Sequence, residues 1–266
     1  MPFIVLNIPQ TFASSFVTIG HDNHVETATI TASSTEDGFA PSFVGLWTLH
    51  DAWRSVGSTG ESLIFDLGVA KPADYLGIMG HNFSLSGSGY FLETSASITG
   101  PWAVVLSETP TNDNVIFKRF GLRSSRFWRL RFEGGTLPIT ISVIGLGVAL
   151  DMERGMVPGF EPPIIDTFAI QNSETDRGLF IGRSLRKEPQ QIRFSVDLLS
   201  SLFVRGLFKE FLEHAQRNPF FFSWNEEEFP NEAVFAWTGR RSQLPSYQDV
   251  VNLRARMRFN VLRNLD

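Results

Sequence analysis

The chain has 266 residues, 42% of them hydrophobic and 19% charged, with a formal net charge of −5 and no cysteine. That balance excludes a disordered chain as well as disulfides, cysteine-ligated zinc and thiol nucleophiles, and it lacks the surplus of Lys and Arg on which a dedicated nucleic-acid binder depends. The 25 Phe against 3 Tyr point to rings buried in cores or dry contacts, because phenylalanine has no hydroxyl that needs a polar partner.

The opening, MPFIVLNIPQTFASSF, has neither a basic n-region nor a long apolar run, so no signal peptide is expected. No stretch reaches 18 uninterrupted apolar residues, so no membrane span is expected either. HDNH (His21 to His24) invites a metal, but its i, i+3 spacing in a polar turn suits neither a strand nor a helix site. GLWTLHDAWRS offers a candidate ligand loop in Trp47, His50, Trp53 and Arg54, since aromatics beside a polar group can stack on sugars. The competing reading is that Trp47 and Trp53 plug the end of a β-sandwich.

Short strands separated by Gly, Ser, Asn and Pro turns follow up to residue 150, the pattern of a β-sandwich. ESLIFDLG puts Leu63, Phe65 and Leu67 on one face, and GYFLETSAS puts Tyr90 and Leu92 opposite Phe91. The Gly-rich SLSGSG, 84–89, leads into a strand and so presents no helix N-terminus to a phosphate. WAVVLSE and NVIFKRFGL are further strands. In SSRFWRLRFEGG, Arg126, Trp128, Leu130 and Phe132 share one face, while Phe127, Arg129, Arg131 and Glu133 share the other. Within that strand, rings and most charges are therefore separated. LPITISVIGLGVAL supplies another β-branched run.

Residues 152–166, MERGMVPGFEPPIID, carry Gly155, Pro158, Gly159, Pro162 and Pro163 and read as a linker between a domain at 1–151 and another at 167–266. The second begins with the strands IDTFAIQN, GLFIGRS and QQIRFSVDL. A helix at about 198–217 is predicted next, with an apolar stripe of Leu199, Leu202, Phe203, Leu207, Phe211 and Leu212, ended at Asn218-Pro219. FFFSWN and EAVFAWTG are strands. The closing strand alternates Val251, Leu253, Ala255, Met257, Phe259 and Val261 with Asn252, Arg254, Arg256, Arg258 and Asn260. Like charges in a row on one strand face repel unless acidic groups meet them. Glu226, Glu227 and Glu228 are the candidate partners, in the same chain or a neighbour, which makes these six residues a candidate oligomer interface.

No G-x-S-x-G, Walker or dinucleotide fingerprint occurs, and Asp66, Asp74 and Glu93 have no nearby histidine in sequence, so neither an enzyme nor a cofactor is expected.

DAWRS (51–55), SLIFDLGVAKPADYLGI (62–78), FLETSASITGPWAVV (91–105) and SSRFWRLRF resemble, in order and spacing, segments of the discoidin family of jelly rolls, over roughly residues 30–148. The terminal cysteines of the animal members are absent, and the turn SASITGP lacks the family's Asp. The loops do not match at residue level, so the resemblance brings a fold and no ligand. In its order of strands, one helix, NPFFFSWN, AVFAWTG and a closing strand, the second half is similar to the tail-tube-like domain of distal and minor tail proteins of long-tailed bacteriophages. That resemblance implies a virion component assembled in the host cytoplasm. It would form a hexameric ring at the tail tip that meets tail tube, hub or baseplate and tape measure proteins, with the discoidin-like domain displayed outward. The alternative is a carbohydrate-binding protein or adhesin with a host-surface glycan as partner. Readout of nucleic acid is not expected.

Overall fold

The computed structural model describes residues 17–239, 245–247 and 252–265. The opening segment read for a signal peptide and Val251 of the closing alternation lie outside the described residues. As the composition and periodicity imply, the fold is mainly β, built from antiparallel sheets. Contacts group the chain into two units. One holds residues 22–113 and 118–149; the other holds 17–21, 114–117 and the chain from 150 on.

Strand β1 (Thr18–Gly20) belongs to the second unit, although it precedes the first in sequence. The first unit is a seven-stranded sheet among the described residues, wrapped around one core. Its strands are β2 (Thr29–Ala32), β3 (Trp53–Arg54), β4 (Ser62–His81), β5 (Gly89–Ser95), β6 (Ala103–Glu108), β7 (Ile116–Glu133) and β8 (Thr140–Gly147). The short helix α1 (Phe83–Ser86) closes one loop. Leu63, Phe65 and Leu67 face inward, as do Tyr90, Leu92, Trp128, Leu130 and Phe132. The period-two alternation therefore identifies the core side of these strands. Gly147 is required at its position: a Cβ there would stand 2.1 Å from the Asp22 carbonyl oxygen.

Strand β9 (Leu150–Asp151) returns the chain to the second unit and pairs with β1. Thr18 is opposite Asp151 and donates its hydroxyl to that carboxylate at 2.9 Å. The first unit's chain thus lies between two adjacent strands of the other unit: the divide at 149/150 falls beside the expected 151, and the unforeseen feature is that β1 belongs to the second unit. Residues 152–166 also differ from a free linker. Met152 is buried, Met156 bridges Val196, and Phe160 packs on Phe222 and Trp224. The side chains of Met152 and Phe160 and the backbone bridge of Met156 tie the segment down.

Next come β10 (Thr167–Glu174), β11 (Phe180–Glu188), β12 (Gln190–Ser200), the helices α2 (Ser201–Arg205) and α3 (Leu207–Ala215), and strands β13 (Phe220–Ser223), β14 (Val234–Thr238), β15 (Ser246–Tyr247) and β16 (Asn252–Leu262). The main sheet runs β12-β16-β14-β13-β1-β9, with β15 on β16, while β10 and β11 form a separate ribbon. The single helix predicted at 198–217 is two helices. Ser200 caps α2 by accepting from the Phe203 N–H at 3.1 Å, and Gly206 breaks the helical phase. Leu199 consequently lies in β12, and Leu202 and Leu207 point outward. Phe203, Val204, Phe208, Phe211, Leu212 and Ala215 meet the core.

Candidate functional site

The loop end of the jelly roll is organised by a buried carboxylate. Glu61 accepts hydrogen bonds from the hydroxyls of Ser33 and Ser34, the latter at 2.8 Å, and from the Gly57 N–H at 3.0 Å. Burying a carboxylate is costly unless its lone pairs are met, and here they are met by two separate loops, which fixes both. Trp53 adds to this by donating its indole N–H to the Ser34 carbonyl at 3.1 Å. At the next loop, Asp113 accepts from the backbone N–H groups of Ser84 and Leu85 and lies 3.5 Å from His81. Burial pushes the Asp113 carboxyl up, but His81 and the two N–H groups outweigh it and hold the group below the ordinary carboxylate range.

The structure does not gather the four candidate ligand residues into one site. Trp53 is fully buried against Phe132, so its ring is closed to a ligand, a correction to the ligand-loop reading. Trp47 is half-buried and hydrogen-bonded to Glu26. His50 is exposed beside Asp51 at 3.1 Å. Arg54 pairs with Glu36 at 3.1 Å and stands 5.8 Å over the half-buried ring of Phe39. The loop end therefore presents a ring, a guanidinium and a carboxylate together, but the ring is Phe39. The sequence reading missed Phe39, for which no motif gives a signal.

A second cluster lies on the outer face of β5 and β7. Glu93, buried, receives Arg129 at 2.6 Å and Arg131 at 3.1 Å. Arg129 stands 4.5 Å over the Trp102 ring, Arg131 4.2 Å over Phe91, and Arg126 4.8 Å over Phe127. Within β7, Trp128 and Phe132 are buried and Arg129 and Arg131 lie on the other face, as the alternation predicts. The adjoining β5 and the Pro101–Trp102 turn bring rings to the charged side. The protein's own guanidinium groups cover those rings, an arrangement worth about 0.5–2 kcal/mol per pair. This face is thus a self-satisfied ladder. Phe91 and Glu93 at i, i+2 facing Arg131 and Arg129 was the signal that could have revealed it. Arg126 also holds Asp66 by two bonds of 2.7 and 2.8 Å; with the Gly68 N–H it brings the Asp66 carboxyl down to about 2.

In the second unit, Arg254 forms a two-pronged pair with Asp197. Arg256 and Arg258 are exposed and, among the described residues, make no ion pair. The acidic run occupies the turn between β13 and β14. Asn225 accepts from the Glu228 N–H at 3.2 Å, and Trp224 stacks on Phe229 at 4.9 Å and donates to Glu232 at 2.8 Å. Glu227 and Glu228 are exposed. The carboxylate that meets Arg254 is Asp197, not one of the expected glutamates.

On one face of the β10–β11 ribbon Ile170 is opposite Leu185, Phe168 opposite Lys187, Asn172 opposite Arg183 and Phe180 opposite Glu174, so that face mixes four apolar side chains with four polar or charged ones. Ala169, Gln171, Ser173, Ser184 and Arg186 share the other. Phe168, Ile170, Phe180 and Leu185 are 47%, 57%, 62% and 58% exposed. At its root lies an open recess of about 580 Å³ lined by Arg186, Lys187, Glu188, Pro189, Trp237 and Asn260.

His21 rings against Phe211 and His214 in the second unit, whereas His24 meets the Pro72 carbonyl in the first. Among the described residues, no three His, Cys, Asp or Glu side chains converge as a metal site, and no helix is long and apolar enough to cross a membrane.

No protein-family model matches the chain, and no curated protein matches it. Solved structures similar to it include the CBM32 of AlyQ in complex with 4,5-unsaturated mannuronic acid, at 19% identity and TM-score 0.39 over 44% of this chain and 92% of that one. Another is chitosan-binding module 1 of a chitosanase/glucanase from Paenibacillus sp. IK-5, at 19% identity and TM-score 0.42 over 47% and 98%. A third is a CBM32 from Clostridium perfringens in complex with GalNAc-β-1,3-galactose, at 12% identity and TM-score 0.42 over 47% and 99%.

Proposed function

We propose that this chain is a structural and binding protein, not an enzyme: the second unit joins copies of the chain into an assembly, and the jelly roll it carries recognises a carbohydrate at its loop end. The assembly reading is carried by the β10–β11 ribbon. On one of its faces Phe168, Ile170, Phe180 and Leu185 stay exposed among Asn172, Glu174, Arg183 and Lys187. A two-stranded ribbon alone is marginal in water, and covering each large side chain stabilises by about 1.5–3 kcal/mol. A neighbouring copy is the cover that makes such a ribbon stable. A ring at the tip of a long bacteriophage tail, touching tail tube and hub proteins, is the particular assembly that the resemblance of the second half favours.

The carbohydrate reading rests on Arg54, Glu36 and the Phe39 ring standing together at the loop end. An apolar ring face with a few fixed polar groups is the usual composition of a sugar site. Light scattering on the full chain tests the first part. The wild type should associate, and Ile170→Ser with Phe180→Ser should lower the mass without loss of fold. A wild type that stays monomeric up to high concentration defeats assembly. A glycan array tests the second: binding by the wild type should be lost in Arg54→Ala, and an array with no hit removes the carbohydrate role.

A further inference from the structure

The jelly roll carries a second recess, apart from its loop end. It lies where β5 runs into the turn before β6, beside the middle of β7 and Ala70 of β4, and its volume is about 640 Å³, within the range of ligand clefts. Arg54 is far from it. Arg54 pairs with Thr140, next to Ile141, which faces His81 at one end of β4. Ala70 lies beyond Tyr75, which is itself about 20 Å from His81 at the rise of a strand. Two clamps hold the recess in shape. Ser125 directs its hydroxyl to the Ser95 carbonyl at 2.9 Å and the Phe127 carbonyl at 3.1 Å. Arg126 is held by both oxygens of Asp66. Such preorganisation lowers the entropy cost of binding.

The polar groups that line it are open. Arg123 is exposed, and among the described residues it makes no ion pair. The hydroxyls of Thr94 and Ser124 also line the recess and, among the described residues, make no hydrogen bond. Arg126 is neutralised by Asp66, whose carboxyl is brought down to about 2 and so stays ionised at neutral pH. The recess therefore keeps the positive charge of Arg123. Ala96, Pro101 and Ala103 supply an apolar wall with no large side chain in it.

A guanidinium presents its N–H groups as a planar fork that matches a carboxylate. A hydroxyl both donates and accepts, which suits the hydroxyls of a sugar. A wall of small apolar groups leaves room for a pyranose ring and meets its C–H face. A nucleobase needs a ring to stack on, and no aromatic side chain lines the recess. A nucleic-acid backbone needs more cations than one unpaired arginine. We propose that this recess binds a carboxylated sugar residue, with Arg123 on the carboxylate and Thr94 and Ser124 on the ring hydroxyls. The site is separate from Arg54, Glu36 and Phe39, and the proposal does not rest on the reading of the loop end.

The test titrates the full chain with methyl β-D-glucuronide and with methyl β-D-glucoside, read by saturation-transfer NMR. The glucuronide should bind with a Kd of about 1 mM, at least about tenfold tighter than the glucoside. Arg123→Gln should remove that preference, and added salt should weaken the wild type, because an exposed charge pair is screened. Ala96→Trp keeps the charge but fills the recess, and should weaken the glucuronide by a similar factor. Both positions are exposed, so both variants should keep the wild-type melting curve. Absence of glucuronide binding up to about 10 mM, equal binding of the two glycosides, or an Arg123→Gln form that binds as the wild type does overturns the assignment. If Arg54→Ala abolishes glucuronide binding and Arg123→Gln does not, the sugar acid sits at the loop end; the carbohydrate reading then stands and this second site falls.

Discussion

At the scale of single residues, the chain places its charges by pairing them across strands. Glu93 between Arg129 and Arg131 is the clearest case, and Asp66 under Arg126 is its exposed counterpart. The Asp66 carboxyl is held at about 2, first by the Arg126 hydrogen bonds and then by the Gly68 N–H. A carboxylate depressed in the folded state stabilises fully above its unfolded value of about 4 and loses that contribution as pH falls toward the folded value. Asp66→Asn should therefore narrow its stability gap to the wild type between pH 4 and 2, as read from urea midpoints across that range; a gap independent of pH would contradict the pairing. The residue patterns made half of this visible. Alternation placed Arg129 and Arg131 on the outer face of β7, but the identity of their partner depends on which strand lies alongside, and no local pattern records that.

At the scale of elements, period-two alternation was reliable wherever a strand lies on a core. Trp128, Leu130 and Phe132 in β7 and Leu253, Ala255, Met257, Phe259 and Val261 in β16 are all buried as the pattern requires. The helix was read less well. Its apolar stripe assumed one continuous phase, and the break at Gly206 rotates Leu202 and Leu207 away from the core. Close approach of backbones is a second feature that local pattern does not show. Gly147→Ala would place a methyl 2.1 Å from the Asp22 carbonyl oxygen and 2.8 Å from its carbon, backbone atoms that cannot swing aside. It should cost at least about 2 kcal/mol by overpacking in a thermal or urea melt. Gly121→Ala, where nothing lies within 4 Å, should be nearly silent by the same measurement. Equal effects at the two glycines would refute the close-approach argument.

At the scale of the whole molecule, the order of units in space is not their order in sequence. β1 and β9 are neighbours in the second unit, and the segment between them forms the jelly roll. The ends of that segment are tied to each other, since the Val148 N–H donates to the Asp22 carboxylate at 3.2 Å and the Tyr75 hydroxyl donates to the Asp22 carbonyl at 2.7 Å. An inserted unit with adjacent ends and its own core can fold alone. A fragment of residues 22–149 should accordingly give a dispersed, cooperative NMR spectrum, and a collapsed or aggregated fragment would argue against an autonomous insert. The sequence by itself determined the β class, which side of most strands is apolar and the absence of cysteine chemistry. Those properties follow from local periodicity and composition, which act over a few residues. Tertiary structure alone decided that β1 leaves its own neighbourhood to join the second unit, that Trp53 is core while Phe39 is not, that Asp197 and not the acidic turn neutralises Arg254, and that Phe168, Ile170, Phe180 and Leu185 of the ribbon are exposed among the described residues. Each of these depends on which distant segments pair and in what register, and that choice is made by the free energy of the whole fold.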